Sequence, residues 1–85
     1  MVVTSIPQEK YFKVADGTVI KSLKELPDAL RHMSPQTFAQ HVNKEKNDFY
    51  NWIKEVFNNS KLASKIKNLK RKESMAKKIF SEKFS

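Results

Sequence analysis

His41, Asn43, Asn47 and Asp48 form the densest polar cluster in the chain. A histidine close to an aspartate can work as an acid–base pair, because imidazole titrates near neutral pH and a carboxylate can orient it. The same two side chains can also contribute to a metal site. A simpler reading gives each residue a structural job. Asn43 tolerates the left-handed conformation that ends helices, Asn47 or Asp48 caps the next helix, and His41 bonds to the turn between them. The structural reading is preferred. A metal would need further ligands, and the chain has only one other histidine, His32, and no cysteine.

Other catalytic arrangements are missing. A single glycine excludes a glycine-rich phosphate loop or a dinucleotide fingerprint. There is no Gly-x-Ser-x-Gly elbow and no pair of carboxylates in an apolar frame. No catalytic residue, metal ligand or cofactor is assigned, and the chain reads as a non-enzyme. Trp52 can stack on a nucleobase. Its spacing with Phe49 and Val56 instead makes it a core anchor whose N–H reaches a local carbonyl. Tyr50 lies off that apolar stripe and is a lone aromatic.

The remaining chemistry is charge. The 85 residues carry 17 Lys and Arg against 9 Asp and Glu, a net charge of +8. Residues 1–59 hold eight basic and seven acidic side chains, whereas residues 60–85 hold nine and two, a net of +7. The excess sits on Lys61, Lys65, Lys67, Lys70, Arg71, Lys72, Lys77, Lys78 and Lys83. Lysines elsewhere, such as Lys24, Lys44, Lys46 and Lys54, favour a merely solvated face. The near-disappearance of acidic residues after Glu55, where only Glu73 and Glu82 remain, argues against it, because a solvating face mixes both signs. Fifteen of the 17 basic residues are lysines. Lysine is a point charge and not a bidentate fork, so contacts to nucleic acid would fall on phosphates with weak sequence selectivity.

These residues need elements to position them. The length allows one domain with one modest core, burying about 64% of the unfolded surface. Residues 1–9 read as a flexible lead-in, 10–80 as a single compact domain, and 81–85 as a fraying tail. The lead-in has no basic region or apolar stretch of a secretory signal, and no apolar run is long enough to cross a membrane. Asp16-Gly17 between Tyr11-Phe12-Lys13-Val14 and Thr18-Val19-Ile20 predicts a hairpin over 11–20, with positive φ at both central residues. Phe12 and Val14 share its core face.

Ser22 and Glu25 predict a capping box opening a helix over about 22–33, carrying Leu23, Leu26, Leu30 and Met33. Pro27 removes one backbone bond and tilts its start. Ser34-Pro35 opens a helix over 35–42 with Phe38 and Val42. Phe49, Trp52, Ile53, Val56 and Phe57 stripe a helix over 48–57. Ser60 caps one over 61–69, and after a bend near 70–74, with Ser74 as cap, a last helix spans 73–82 with Met75, Ile79 and Phe80. The fold class is α+β, mainly helical: an N-terminal β-hairpin packed on four or five short helices.

The run from Asp16-Gly17-Thr18-Val19-Ile20 through Ser22-Leu23-Lys24-Glu25-Leu26, Phe38, His41-Val42-Asn43, Asn47-Asp48-Phe49 and Trp52-Ile53 to Leu62-Ala63 resembles an uncharacterised family of small domains. That family is found mostly in archaea, alone or attached to other proteins. The resemblance covers roughly residues 11–80 and is most specific from His41 to Ile53. It implies that hairpin and helices form one unit and brings no activity with it. Its typical members are less basic at the C-terminus.

The expected function is a small basic non-enzymatic domain that binds DNA or RNA, DNA in the first instance, through phosphate contacts from Lys61, Lys65, Lys67, Lys70, Arg71, Lys72, Lys77 and Lys78. Asp16, Gly17, Ser22, Asn43, Asn47, Asp48 and Trp52 are expected to be structural. The alternative is a protein-interaction or adaptor module of unknown partner, whose basic segment meets an acidic protein or simply keeps the chain soluble. A membrane surface, met by Met75, Ile79, Phe80 and Phe84, ranks last because those residues can serve the core. The expected location is cytoplasmic, on the nucleoid if the ligand is DNA.

Overall fold

A computed structural model describes residues 6–83. A two-stranded antiparallel hairpin, β1 (Phe12–Lys13) and β2 (Val19–Ile20), is followed by five helices: α1 (Leu26–His32), α2 (Pro35–His41), α3 (Asp48–Val56), α4 (Ser60–Ile66) and α5 (Lys72–Lys83). The architecture is therefore mainly helical α+β. The Cα radius of gyration is 11.9 Å, close to the roughly 12 Å that scaling gives a compact chain of this length. Of the lead-in, residues 1–5 lie outside the described residues. Ile6 packs against the core and Gln8–Lys10 form a 3-10 turn, so this stretch is more ordered than its composition predicts. Of the expected fraying tail, residues 81–83 continue α5 and residues 84–85 lie outside the described residues.

The hairpin pairs Phe12 with Ile20 and Lys13 with Val19. Directly opposed residues share a face, so Phe12, Val14 and Ile20 point inward while Val19 is exposed. The turn differs from the two-residue type expected. Val14 N–H donates to the Thr18 carbonyl at 2.8 Å and Gly17 N–H donates to the Val14 carbonyl at 2.9 Å. The loop is thus residues 15–17, and only Gly17 has positive φ, at 97°. This is the three-residue hairpin in which a glycine follows an ordinary turn. Asp16 instead holds the loop through its carboxylate, which accepts from Thr18 N–H at 2.9 Å.

The helix after the hairpin starts later than predicted. Leu23–Glu25 form a 3-10 turn, and the α-helix begins at Leu26 with Pro27 in its first turn. The cause is Pro27, which lacks the N–H that an α-helix begun at Leu23 would need there. The capping box fails with it. Ser22 makes no side-chain cap, and the Glu25 carboxylate accepts from Lys21 N–H at 3.0 Å. Ser34 does cap α2, its hydroxyl accepting from Thr37 N–H at 3.1 Å with Pro35 in the first turn.

Asn43 is not left-handed. Its Nδ2 donates to the Ala39 carbonyl at 3.1 Å, closing α2, and its Oδ1 accepts from Glu45 N–H at 3.0 Å. The left-handed residue is Asn58, with φ of 51°, which ends α3. Asn59, not Ser60, then caps α4 by accepting from Leu62 N–H at 3.1 Å. The chain leaves α4 at Ile66, and the break before α5 covers residues 67–71, not 70–74. Ser74 is not a cap: Met75 N–H already bonds to the Arg71 carbonyl at 3.0 Å, which puts Ser74 inside α5.

The core is continuous. Leu26, Leu30, Phe49, Ile53, Ile66, Met75 and Ile79 are fully buried, and Val14 and Ile20 close it from the hairpin side. Phe12 stacks on Phe49 with ring centroids 4.6 Å apart and meets Trp52 edge-on at 5.5 Å. Phe80 stands outside the core, 47% exposed, with the Arg31 guanidinium 5.8 Å from its ring centroid. No helix among the described residues is long and apolar enough to cross a membrane.

Candidate nucleic-acid interface

The His41 cluster comes together, but as a joint. His41 ends α2 and Asp48 begins α3. Their Nδ1 and Oδ2 atoms are 3.0 Å apart. The other ring nitrogen, Nε2, accepts from Ala15 N–H at 3.0 Å. A backbone N–H can only donate, so Nε2 carries no proton and Nδ1–H donates to Asp48. Phe12 packs edge-on against the imidazole at 5.1 Å. Both nitrogens are engaged within the fold, which pins the hairpin loop to the start of α3. Asp48 also pairs with Lys46 at 3.1 Å. Among the described residues no group of three or more potential ligands is placed to hold a metal.

Trp52 is buried, and its Nε1–H donates to the Lys10 carbonyl at 2.8 Å. That carbonyl is 42 residues away, not local. Asn47 does more than cap. Its Oδ1 accepts from Tyr50 N–H at 3.0 Å, and its Nδ2 donates to the carbonyls of Ile66 at 3.1 Å and Lys67 at 3.3 Å. One buried amide thereby ties the start of α3 to the end of α4.

That tie forms the floor of an open cleft of about 330 Å³. One wall is the loop 43–47, including Lys44 and Lys46. The other is the α4–α5 connection with Lys67, Asn68 and Lys70, and Tyr50 and Asn51 of α3 lie between. The Lys54 and Lys67 ammonium groups stand 5.7 and 5.8 Å from the Tyr50 ring centroid. Cations at this range are attracted to the electron-rich ring face. Lys70 Nζ reaches the Asn43 carbonyl at 3.4 Å, bridging the two walls. Glu45 is the one carboxylate on the lining.

The eight basic residues singled out in the sequence are dispersed. Lys67 and Lys70 line this cleft. Lys70 and Arg71 continue into a neighbouring groove of about 240 Å³ whose floor includes Phe38 and Val42. Lys72 is used internally, its Nζ donating to the Arg31 carbonyl at 2.9 Å and pairing with Glu73 at 3.2 Å. Lys65 leans toward Glu82 at 3.6 Å. Lys77 and Lys78 are exposed beside Leu69, Ser74 and Ser81, and Lys61 is exposed on α4. The cleft also recruits residues outside that set, Lys44, Lys46 and Tyr50, and Lys54 stands beside the Tyr50 ring. Tyr50 and Lys54 are four apart on one helix, a spacing readable in the sequence. Their meeting with Lys67 is not.

Two carboxylates are perturbed. Asp16 is held below the usual aspartate range, chiefly by the hydrogen bonds it receives from Thr18. Glu73 is likewise lowered, first by its own backbone N–H and then by Lys72. Neither lies in the basic cleft. Comparison with family models, with curated proteins and with solved structures finds no match to this chain.

Proposed function

We propose that the chain is a small non-enzymatic domain that binds nucleic acid through phosphate contacts, with weak sequence selectivity. The observation that carries this reading is the cleft that Lys44, Lys46, Lys67 and Lys70 line together with Tyr50, against a single lining carboxylate. Like charges gathered around a concavity raise the local potential and attract a polyanion. Arg31 and Arg71 lie off this lining. The planar arginine fork that most often reads guanine edges is therefore not on the lining. The working location that goes with this reading is the cytoplasm.

The test is a titration of labelled duplex DNA and labelled single strand at several salt concentrations. Affinity should fall with salt at a log–log slope of about −0.9 per phosphate neutralised on duplex and about −0.7 on single strands. Replacing Lys44 and Lys67 by Ala should flatten the slope by about two such steps. No binding to either probe at low salt ends the reading. A protein partner recovered after nuclease treatment would instead favour the adaptor alternative. Lys72 is left intact in these variants because its bond to the Arg31 carbonyl links α5 to α1.

A further inference from the structure

We infer that the cleft at Tyr50 takes an unpaired nucleotide, so that the ligand is a single-stranded segment and not a duplex. This inference rests on the nucleic-acid reading above and specifies the ligand of the same site.

Three features of the cleft carry it. The first is shape. The site is an open surface cleft of about 330 Å³, shallow enough for a planar base to reach the ring from solvent. A duplex is a convex rod whose bases are stacked and paired, so it offers such a cleft only its phosphates. An unpaired nucleotide can enter base first. The second is the aromatic ring. Tyr50 is half-buried on the lining, in the first turn of α3, where its backbone N–H bonds to Asn47. Stacking of a base on an aromatic ring tolerates any base. The ammonium groups of Lys54 and Lys67 stand 5.7 and 5.8 Å from this ring's centroid; a base that stacks there displaces an ammonium group from the ring face, and the long lysine stem lets that group turn to a flanking phosphate. The third is polar capacity. The side-chain amides of Asn51 and Asn68 face solvent on the lining with no hydrogen-bond partner among the described residues. Each offers two donors and an acceptor, the complement that the exposed edge of an unpaired base requires.

The geometry assigns roles accordingly. Tyr50 is the stacking surface, Asn51 and Asn68 meet the base edge, and Lys44, Lys67 and Lys70 hold the flanking phosphates. Lys46 is already occupied by Asp48 and contributes less.

The experiment uses oligo(dT) and a duplex of matched length, with the full chain as wild type, Tyr50→Phe and Tyr50→Leu. Tyr50→Leu should weaken oligo(dT) binding by about 5- to 150-fold, the range that loss of one base–aromatic stack gives. Tyr50→Phe should retain it. Duplex binding and the salt slope should be unchanged in both, since no phosphate contact is removed. An equal loss on duplex and single strand, or no loss on oligo(dT), overturns the inference while leaving the nucleic-acid reading standing. Absence of binding to both probes by the wild type overturns the two together. A second measurement needs no variant. Oligo(dT) carrying 5-iodouracil, irradiated in complex with the wild-type chain, should crosslink at Tyr50, and crosslinks confined to other residues refute the assignment.

Discussion

Replacing Asn47 by Asp should destabilise this protein, although aspartate is normally as good a helix cap as asparagine. The reason lies in what the two ends of the amide do. Oδ1 caps α3 at Tyr50 N–H, and an aspartate oxygen would do the same. Nδ2 donates to the carbonyls of Ile66 and Lys67, 19 and 20 residues on. Aspartate has no donor there. It would set an anionic oxygen about 3 Å from two carbonyl oxygens, at the negative end of α4.

For Asn47→Ala the expected loss is about 1 kcal/mol for the cap and about 1–3 kcal/mol for a buried carbonyl left without its donor, together about 2–4 kcal/mol. Asn47→Asp keeps the first contribution but adds repulsion to the second, so it should lose at least about 2 kcal/mol. In a domain of this size about 2–4 kcal/mol corresponds to roughly 10–30 °C in Tm. Asn59→Asp is the control. Asn59 caps α4 at Leu62 N–H, and its replacement should stay within about 0.5 kcal/mol of wild type. Urea and thermal unfolding followed by circular dichroism at pH 7 measures all three. If Asn47→Asp unfolds with wild type, Nδ2 is not holding α3 to α4 and the account of the cleft floor is wrong.

Other perturbations test other joints. His41→Ala strips the acceptor from the exposed Ala15 N–H, which water can then satisfy, and should reduce stability by about 0.5–1.5 kcal/mol for that bond; an unchanged urea midpoint would show that the hairpin loop is held by something else. Gly17→Ala should lose about 1–2 kcal/mol because alanine resists positive φ. There is open space for the methyl group, so Gly17→Asn, which tolerates that conformation, should lose less in the same unfolding assay. Asp16 has a folded pKa below the ordinary value of about 3.9, so the stability it contributes is present above that value and lost as pH falls through the folded one. A carboxyl titration followed by NMR should place its midpoint below that of a free aspartate, and a midpoint at or above it contradicts the Thr18 contacts.

Most of the elements were legible because they depend on near neighbours. The apolar spacings of Leu23, Leu26, Leu30 and Met33, and of Phe49, Trp52 and Ile53, mark faces that are buried. Ser34-Pro35 marks the start of α2. The errors fall at element ends, where two local solutions compete. Pro27 displaced the helix start, Asn59 took the capping role from Ser60, and a three-residue loop replaced the two-residue turn around Asp16-Gly17. Each alternative satisfies the same backbone groups one or two residues away, and local sequence hardly separates them. The basic segment was legible as a total but not as a surface. Lys72 turns inward to the Arg31 carbonyl, while Lys44 and Lys46, which look like solvated connector, stand across the cleft from Lys67 and Lys70.

By itself the sequence determined the hairpin, the order and amphipathic faces of the helices, the need for glycine at position 17, and the +7 excess after residue 59. These follow from backbone sterics, helical periodicity and charge, which act over a few residues or by simple addition. The tertiary structure alone decided that His41 would meet Ala15, that Asn47 would hold α4, and that Lys67 would stand over Tyr50. Each joins residues 17 to 26 positions apart. Such pairs meet only when a shared core fixes the helices against one another, so no local spacing records them.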